Sequence, residues 1–314
     1  MTLILVVQSV VINAQTNTPL DFDGDGRTDF VTARLENDQL IWYVQPSDGS
    51  SHYSFQWGIV GDVTTPEDFD GDGRTDIAIW RPNINAGFFY ILESQTGTVR
   101  VLEFGLPGDD PSIVDDFDGD NIADPAVYRN NPNGGQSFFY YLGSQNNPNG
   151  NITFVPWGTS GDFPSTGDFD GDGRGDFVVQ RNVNNQNIFY LLKSTEGVSI
   201  QFFGLPTDLV APGDYDGDGR TDLCLIRSEN FNLEWWISLS GDGSVSLQTF
   251  GLSNLDFPTP GDYDGDGRTD ISVWRPDPEP TNCFFYGQSS NTGGVFQEEW
   301  GSGTDYPAAN FKIH

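Results

Sequence analysis

The sequence predicts an all-β chain closed into a six-bladed β-propeller of four-stranded blades, and three observations predict it. An acidic nonapeptide, D-F-D-G-D-G-R-T-D, starts at Asp21 and recurs with small changes from Asp68, Asp116, Asp168, Asp214 and Asp262. The successive intervals of 47, 48, 52, 46 and 48 residues suit one four-stranded blade per copy. Between the copies lie short runs rich in β-branched and aromatic residues, with no long stretch of helical period, and 38 Gly and 19 Pro supply the turns.

Each copy contains the same parts in the same order. The acidic loop is followed by an apolar run ending in Arg, as Ile77 to Arg81, with equivalents at Arg34, Arg129, Arg181, Arg227 and Arg275. Runs such as Leu223-Cys224-Leu225-Ile226 are apolar on both faces, as a strand held between neighbouring blades would be. An aromatic pair marks the next strand, for example Trp42-Tyr43, Phe189-Tyr190 and Trp235-Trp236, and after a Gly-, Ser- or Asn-rich turn the copy closes on an aromatic-Gly pair such as Trp157-Gly158. The last copy ends with Trp300-Gly301 and Asp305-Tyr306-Pro307 but no further acidic loop, whereas the first loop has no aromatic-Gly segment before it. The C-terminal strand is therefore expected to complete the first blade. Seven blades are the alternative, and would need the apolar N-terminus to supply strands. Residues 17–314 then form one domain, preceded by residues 1–16.

The 46 acidic residues against 14 basic ones give a formal charge of -32, which argues against nucleic acid and anionic membrane surfaces as partners. A hydrophobic content of 36% and an aromatic content of 14% still provide a core, unlike acidic chains that stay unfolded.

The acidic loops account for much of that charge and point to a hard cation. Asp at loop positions 1, 3, 5 and 9 aims four carboxylates at one centre: Asp21, Asp23, Asp25 and Asp29; Asp68, Asp70, Asp72 and Asp76; Asp116, Asp118, Asp120 and Asp124; Asp168, Asp170, Asp172 and Asp176; Asp214, Asp216, Asp218 and Asp222; Asp262, Asp264, Asp266 and Asp270. Unneutralised, such groups repel and their pKa values rise. Calcium accepts six to eight oxygens in flexible geometry, so these carboxylates, water and the position-7 carbonyl of Arg27, Arg74, Ile122, Arg174, Arg220 or Arg268 would suit it. No loop contains His or Cys, which disfavours zinc. Gly at position 6 permits a positive φ, and Asn121 replaces it in the third loop, which is expected to be the weakest site. About six calcium ions would bring the formal charge to about -20 and contribute to folding.

The acidic loop, the aromatic-Gly pair and the following Asp-x-Pro (Asp162-Phe163-Pro164, Asp256-Phe257-Pro258) together resemble FG-GAP/VCBS repeats over about residues 17 to 310, as in the propellers of integrin α chains. That resemblance implies four-stranded blades, calcium in loops on one face, and frequent roles in adhesion.

Eleven of the twelve Arg residues fall in two repeated columns, which favours an architectural task such as pairing with Asp between blades. His52 and His314 are the only histidines, no G-x-S-x-G occurs, and most Asp residues belong to the loops. The protein is therefore expected not to be an enzyme; a polysaccharide lyase or glycosidase on a calcium-stabilised propeller is the remaining catalytic reading. As a binding module it would recognise a protein or glycan ligand at a cell surface or matrix. Trp80, Tyr128 and Trp274, beside strand-end Arg residues, would stack on sugars in a multivalent lectin, although such aromatic columns are ordinarily core. The variable connections Asn83 to Ala86, Asn130 to Gln136, Asn182 to Asn187 and Asp277 to Asn282 suit protein recognition better, because they differ between copies.

Met1 to Ala14 reads as a truncated signal peptide and points to a secreted or cell-surface bacterial protein; alternatively it pairs as a strand, in its own fold or on a neighbouring subunit's sheet edge. Cys224 and Cys283 are too few for a disulfide framework and receive no redox role.

Overall fold

The computed structural model describes residues 18–279 and 282–308; the apolar N-terminal segment, Lys312 and His314 lie outside the described residues. Six antiparallel sheets follow one another along the chain and form a ring. Blade 1 contains β1 (Phe30–Glu36), β2 (Gln39–Gln45) and β3 (Tyr53–Ile59). Blade 2 contains β4 (Val63–Thr64), β5 (Ile77–Pro82), β6 (Gly87–Leu92) and β7 (Val99–Glu103), and blade 3 contains β8 (Ala126–Arg129), β9 (Gln136–Tyr141) and β10 (Thr153–Thr159). Blade 4 is built from β11 (Phe163–Gly167), β12 (Asp176–Val183), β13 (Gln186–Lys193) and β14 (Gly197–Phe202). Blade 5 comprises β15 (Leu209–Val210), β16 (Leu223–Glu229), β17 (Asn232–Ser238) and β18 (Val245–Leu252). Blade 6 comprises β19 (Phe257–Pro258), β20 (Ile271–Arg275), β21 (Phe284–Gln288) and β22 (Val295–Glu299).

The ring closes as the repeat offset requires. β23 (Tyr306–Pro307) pairs antiparallel with β1, Thr32 opposite Pro307 and Ala33 opposite Tyr306, and becomes the innermost strand of blade 1. The first and last described strands, β1 and β23, thus share one sheet, and the described residues form six blades. In blade 3 the innermost strand is reduced to a bridge between Asp110 and Tyr128.

The core is a series of slabs between blades. Trp42, Val31 and Val44 of blade 1 pack with Ile77 and Ile79 of blade 2. Phe89 and Trp80 of blade 2 meet Val114 and Val127 of blade 3, and Trp274 and Phe285 of blade 6 meet Phe30 of blade 1. The second strand of each blade lies between two such slabs, so its residues are apolar on both faces. The same packing corrects the sugar-stacking expectation. Trp80 and Tyr128 are 2% exposed and Trp274 is fully buried; the indole N–H of Trp80 donates to the Phe104 carbonyl (2.9 Å) and that of Trp274 to the Trp300 carbonyl (3.0 Å). These rings have no free face for a sugar. Cys224 and Cys283 are buried free thiols, and burial pushes the Cys224 thiol up to about 12.

Chain direction gives the ring two unlike ends. The acidic loops lead into the second strand of each blade at one end, beside the hairpins between third and fourth strands. The hairpins between second and third strands, and the crossovers between blades, lie at the other. No helix among the described residues is long and apolar enough to cross a membrane.

Candidate metal centre

Each acidic loop is wrapped around its own carboxylates. In the second loop, Asp68 accepts the backbone N–H groups of Gly71 (2.7 Å) and Gly73 (2.8 Å), one on each oxygen. Asp76 at position 9 accepts Phe69 N–H (2.9 Å) and Ser94 N–H (2.7 Å), which ties the loop to the adjacent hairpin. The pattern recurs in the other loops, as at Asp21 and Asp29 or Asp262 and Asp270. Tight turning requires positive φ at position 6: Gly73 has φ 83° and Asn121, in the third loop, has φ 64°. The asparagine therefore preserves the loop's conformation.

Carboxylate oxygens from positions 1, 3 and 9 lie within 4.8 Å of one another in four loops: Asp21, Asp23 and Asp29; Asp68, Asp70 and Asp76; Asp116, Asp118 and Asp124; Asp168, Asp170 and Asp176. In the fifth loop the clustered groups are Asp214, Asp216 and Asp218. Position 5 is thus set apart from the triad in the first four loops. Asp25, Asp72, Asp120, Asp172, Asp218 and Asp266 instead accept the N–H of position 7, that of Arg27, Arg74, Ile122, Arg174, Arg220 or Arg268, at 2.9 to 3.0 Å.

The electrostatics are those of a site short of positive charge. Burial pushes Asp29, Asp76, Asp124 and Asp176 up to about 7, and Asp21, Asp222 and Asp270 to about 6, with nearby carboxylates adding to the rise. The third triad is the most enclosed: Asp116, Asp118 and Asp124 are all buried, and one Asp118 oxygen has no hydrogen-bond partner. A buried, unpartnered carboxylate oxygen beside two other carboxylates costs free energy unless a cation meets it. With only oxygen donors present, these residues fit a hard divalent ion.

Two features of the site were not read from the sequence. A serine stands four residues after the aromatic pair in all six copies (Ser47, Ser94, Ser144, Ser194, Ser240 and Ser290), and its hydroxyl donates to the position-5 Asp, as Ser94 to Asp72 (3.0 Å) and Ser290 to Asp266 (3.0 Å). That fixed spacing was the available signal. The loops also join into a closed circle. The position-8 N–H of each loop donates to the position-1 carbonyl of the preceding loop: Thr75 to Asp21, Gly175 to Asp116, Thr221 to Asp168 and Thr269 to Asp214 at 2.6 Å, Ala123 to Asp68 and Thr28 to Asp262 at 2.7 Å. The position-7 side chain lies over the preceding loop's position-4 glycine, where a Cβ on Gly217 would come within 2.6 Å of Arg268 Nε.

The strand-end arginines pair with Asp, each taking its partner from the crossover that joins the preceding blade to its own. Arg81 forks onto Asp62 (2.7 and 2.7 Å) and Arg181 onto Asp162 (2.7 and 2.7 Å), while Arg34 reaches Asp305 across the ring closure. Each guanidinium also covers an aromatic ring, Tyr90 at 4.6 Å and Tyr190 at 4.5 Å.

These features define a six-bladed β-propeller whose blades are short acidic-loop repeats. The chain belongs to the FG-GAP-like repeat family, whose repeat matches residues 21–79, 168–225 and 214–273. Among solved structures it is similar to TolB from Acinetobacter baumannii, with 16% identity over 91% of this chain and 67% of that one and a TM-score of 0.59, a likeness of fold alone. A Lactobacillus plantarum protein is aligned over 89% of this chain and 98% of its own at 10% identity, with a TM-score of 0.36, too low to bear on the fold. No curated protein matches the sequence.

Proposed function

We propose that the protein is a secreted or cell-surface calcium-loaded binding module that recognises a protein partner, the metal loops holding blade geometry and the opposite end of the ring making contact. One observation carries this reading: the two ends differ in chemistry. The loop end is acidic, whereas the other end exposes large apolar side chains from several blades, including Leu35, Ile84 (88% exposed), Leu106, Phe163, Phe231 (77% exposed) and Tyr306. Apolar side chains exposed from several blades at one end of the ring offer contact area to a partner. The variable connections lie at this same end, so the copies that share a loop differ where a partner would be chosen. A protein partner is favoured over a glycan because the aromatic columns are buried, and the chemically capable residues belong to repeated structural pairs and not to one asymmetric constellation.

The test uses purified protein in calcium against matrix and cell-surface proteins and against a glycan array. We expect protein capture that Ile84→Asp and Phe231→Asp weaken without altering the melting temperature. Glycan binding unaffected by these changes, or release of shortened oligosaccharides from polysaccharide, would overturn the reading.

A further inference from the structure

We infer that the outer strand of blade 4, β14, is a self-pairing edge through which two copies of the chain associate. A propeller exposes the outermost strand of every blade, and such edges invite pairing unless something blocks it. Three of the six outer strands carry a block. β7 contains Arg100 and Glu103, and β22 contains Glu298 and Glu299. Pro156 interrupts β10, whereas the bulge at the aromatic-Gly pair sets no strand apart, because Asn187 of blade 4 likewise faces both Phe203 and Gly204. β3, β14 and β18 carry neither charge nor proline, and of these only β14 exposes three alternating large apolar side chains. Its residues, Gly-Val-Ser-Ile-Gln-Phe, are uncharged and proline-free, and its register with β13 is unbroken from Ile188 opposite Phe202 to Lys193 opposite Gly197.

The strand is also complementary to itself. Val198, Ile200 and Phe202 alternate along one face and are 58%, 51% and 65% exposed. An antiparallel two-fold pair centred on Ile200 places Ile200 opposite Ile200, Val198 opposite Phe202 and Ser199 opposite Gln201, so that apolar meets apolar on one face and polar meets polar on the other. Charge permits the approach. In a chain of formal charge -32, the acid beside this strand, Glu196, is held by both Lys193 (2.8 Å) and Arg220 (3.1 Å). The occupant is therefore a second copy of the chain, whose identical edge supplies the matching pattern and no unopposed charge.

Sedimentation equilibrium of the full chain in calcium should show a monomer–dimer equilibrium at micromolar concentration. Ile200→Lys sets two ammonium groups against each other at the two-fold and should weaken dimerisation about a hundredfold or more, whereas Val245→Lys on β18 should leave it unchanged. Both positions are exposed, and unchanged melting temperatures would confirm that each variant folds. Ile200→Cys should form an intermolecular disulfide on mild oxidation. A wild-type chain that stays monomeric, or a dimer that survives Ile200→Lys, would overturn the proposal; so would a dimer abolished by removing residues 1–16, which would assign the edge to a donated strand.

Discussion

At Arg181 a single side chain serves three neighbours. Its guanidinium forks onto Asp162, covers the ring of Tyr190 and thereby fixes the crossover that enters blade 4. The Asp162 side chain is almost fully buried and also accepts the Thr159 N–H (2.7 Å), so the carboxylate stabilises the turn as well as the ion pair. Lysine would offer a point charge in place of a planar fork. Arg181→Lys should cost about 1 to 3 kcal/mol of stability, measured as a lower urea midpoint with unchanged slope; an unshifted midpoint would mean that the fork contributes nothing. Asp118 tests the other repeated site. Asp118→Ala removes the buried oxygen that lacks a partner and should reduce bound calcium by about one ion per chain, as measured by equilibrium dialysis with metal analysis. Loss of no ion would exclude the third loop as a site.

Strands and blades were read from the sequence because the repeat states them six times. The apolar run, the aromatic pair and the aromatic-Gly pair each fix one strand, and the offset between the first loop and the last Trp-Gly identifies the closing strand that pairs with β1. What remained hidden depends on pairing across long separations. That Arg34 would find Asp305, 271 residues away, follows only once the ring has closed. Trp80 and Tyr128 sit beside strand-end arginines in sequence, but strand alternation turns their neighbours outward and buries the rings between blades. The weak-site expectation for the third loop rested on Asn121 alone, whereas the enclosure of Asp118 arises from the neighbouring hairpin, through Gln145 and Asn146 N–H groups at 2.8 Å. Closure itself is open to test. Truncation before Ser302 removes β23, the Asp305 partner of Arg34 and the burial supplied by Ala308, and should lower the melting temperature sharply while leaving blades 2 to 5 unaltered in sequence. An unchanged melting curve would refute closure by the C-terminal strand.

Over the whole molecule, the six loops form one hydrogen-bonded circle of carboxylate clusters, so charge at any loop bears on the stability of the ring. Without a cation, the position-9 aspartates titrate at about 6 to 7 in the folded chain, against about 3.9 for an unfolded Asp. The folded state then binds more protons than the unfolded one between those values, and stability falls as pH rises from about 4 to about 7. A bound divalent ion reverses the sign. It favours the ionised carboxylates, depresses their folded pKa values below the unfolded one, and contributes stability that is present at neutral pH and lost as pH falls. Calcium also binds the organised loops better than the unfolded chain and so raises the melting temperature by mass action. The expected outcome is a pair of diverging curves: with chelator the melting temperature declines from about pH 4 to about pH 7, with millimolar calcium it does not, and the gap between them widens with pH. Scanning calorimetry across that range decides the matter, because coincident or parallel curves would show that the acidic loops hold no stabilising cation.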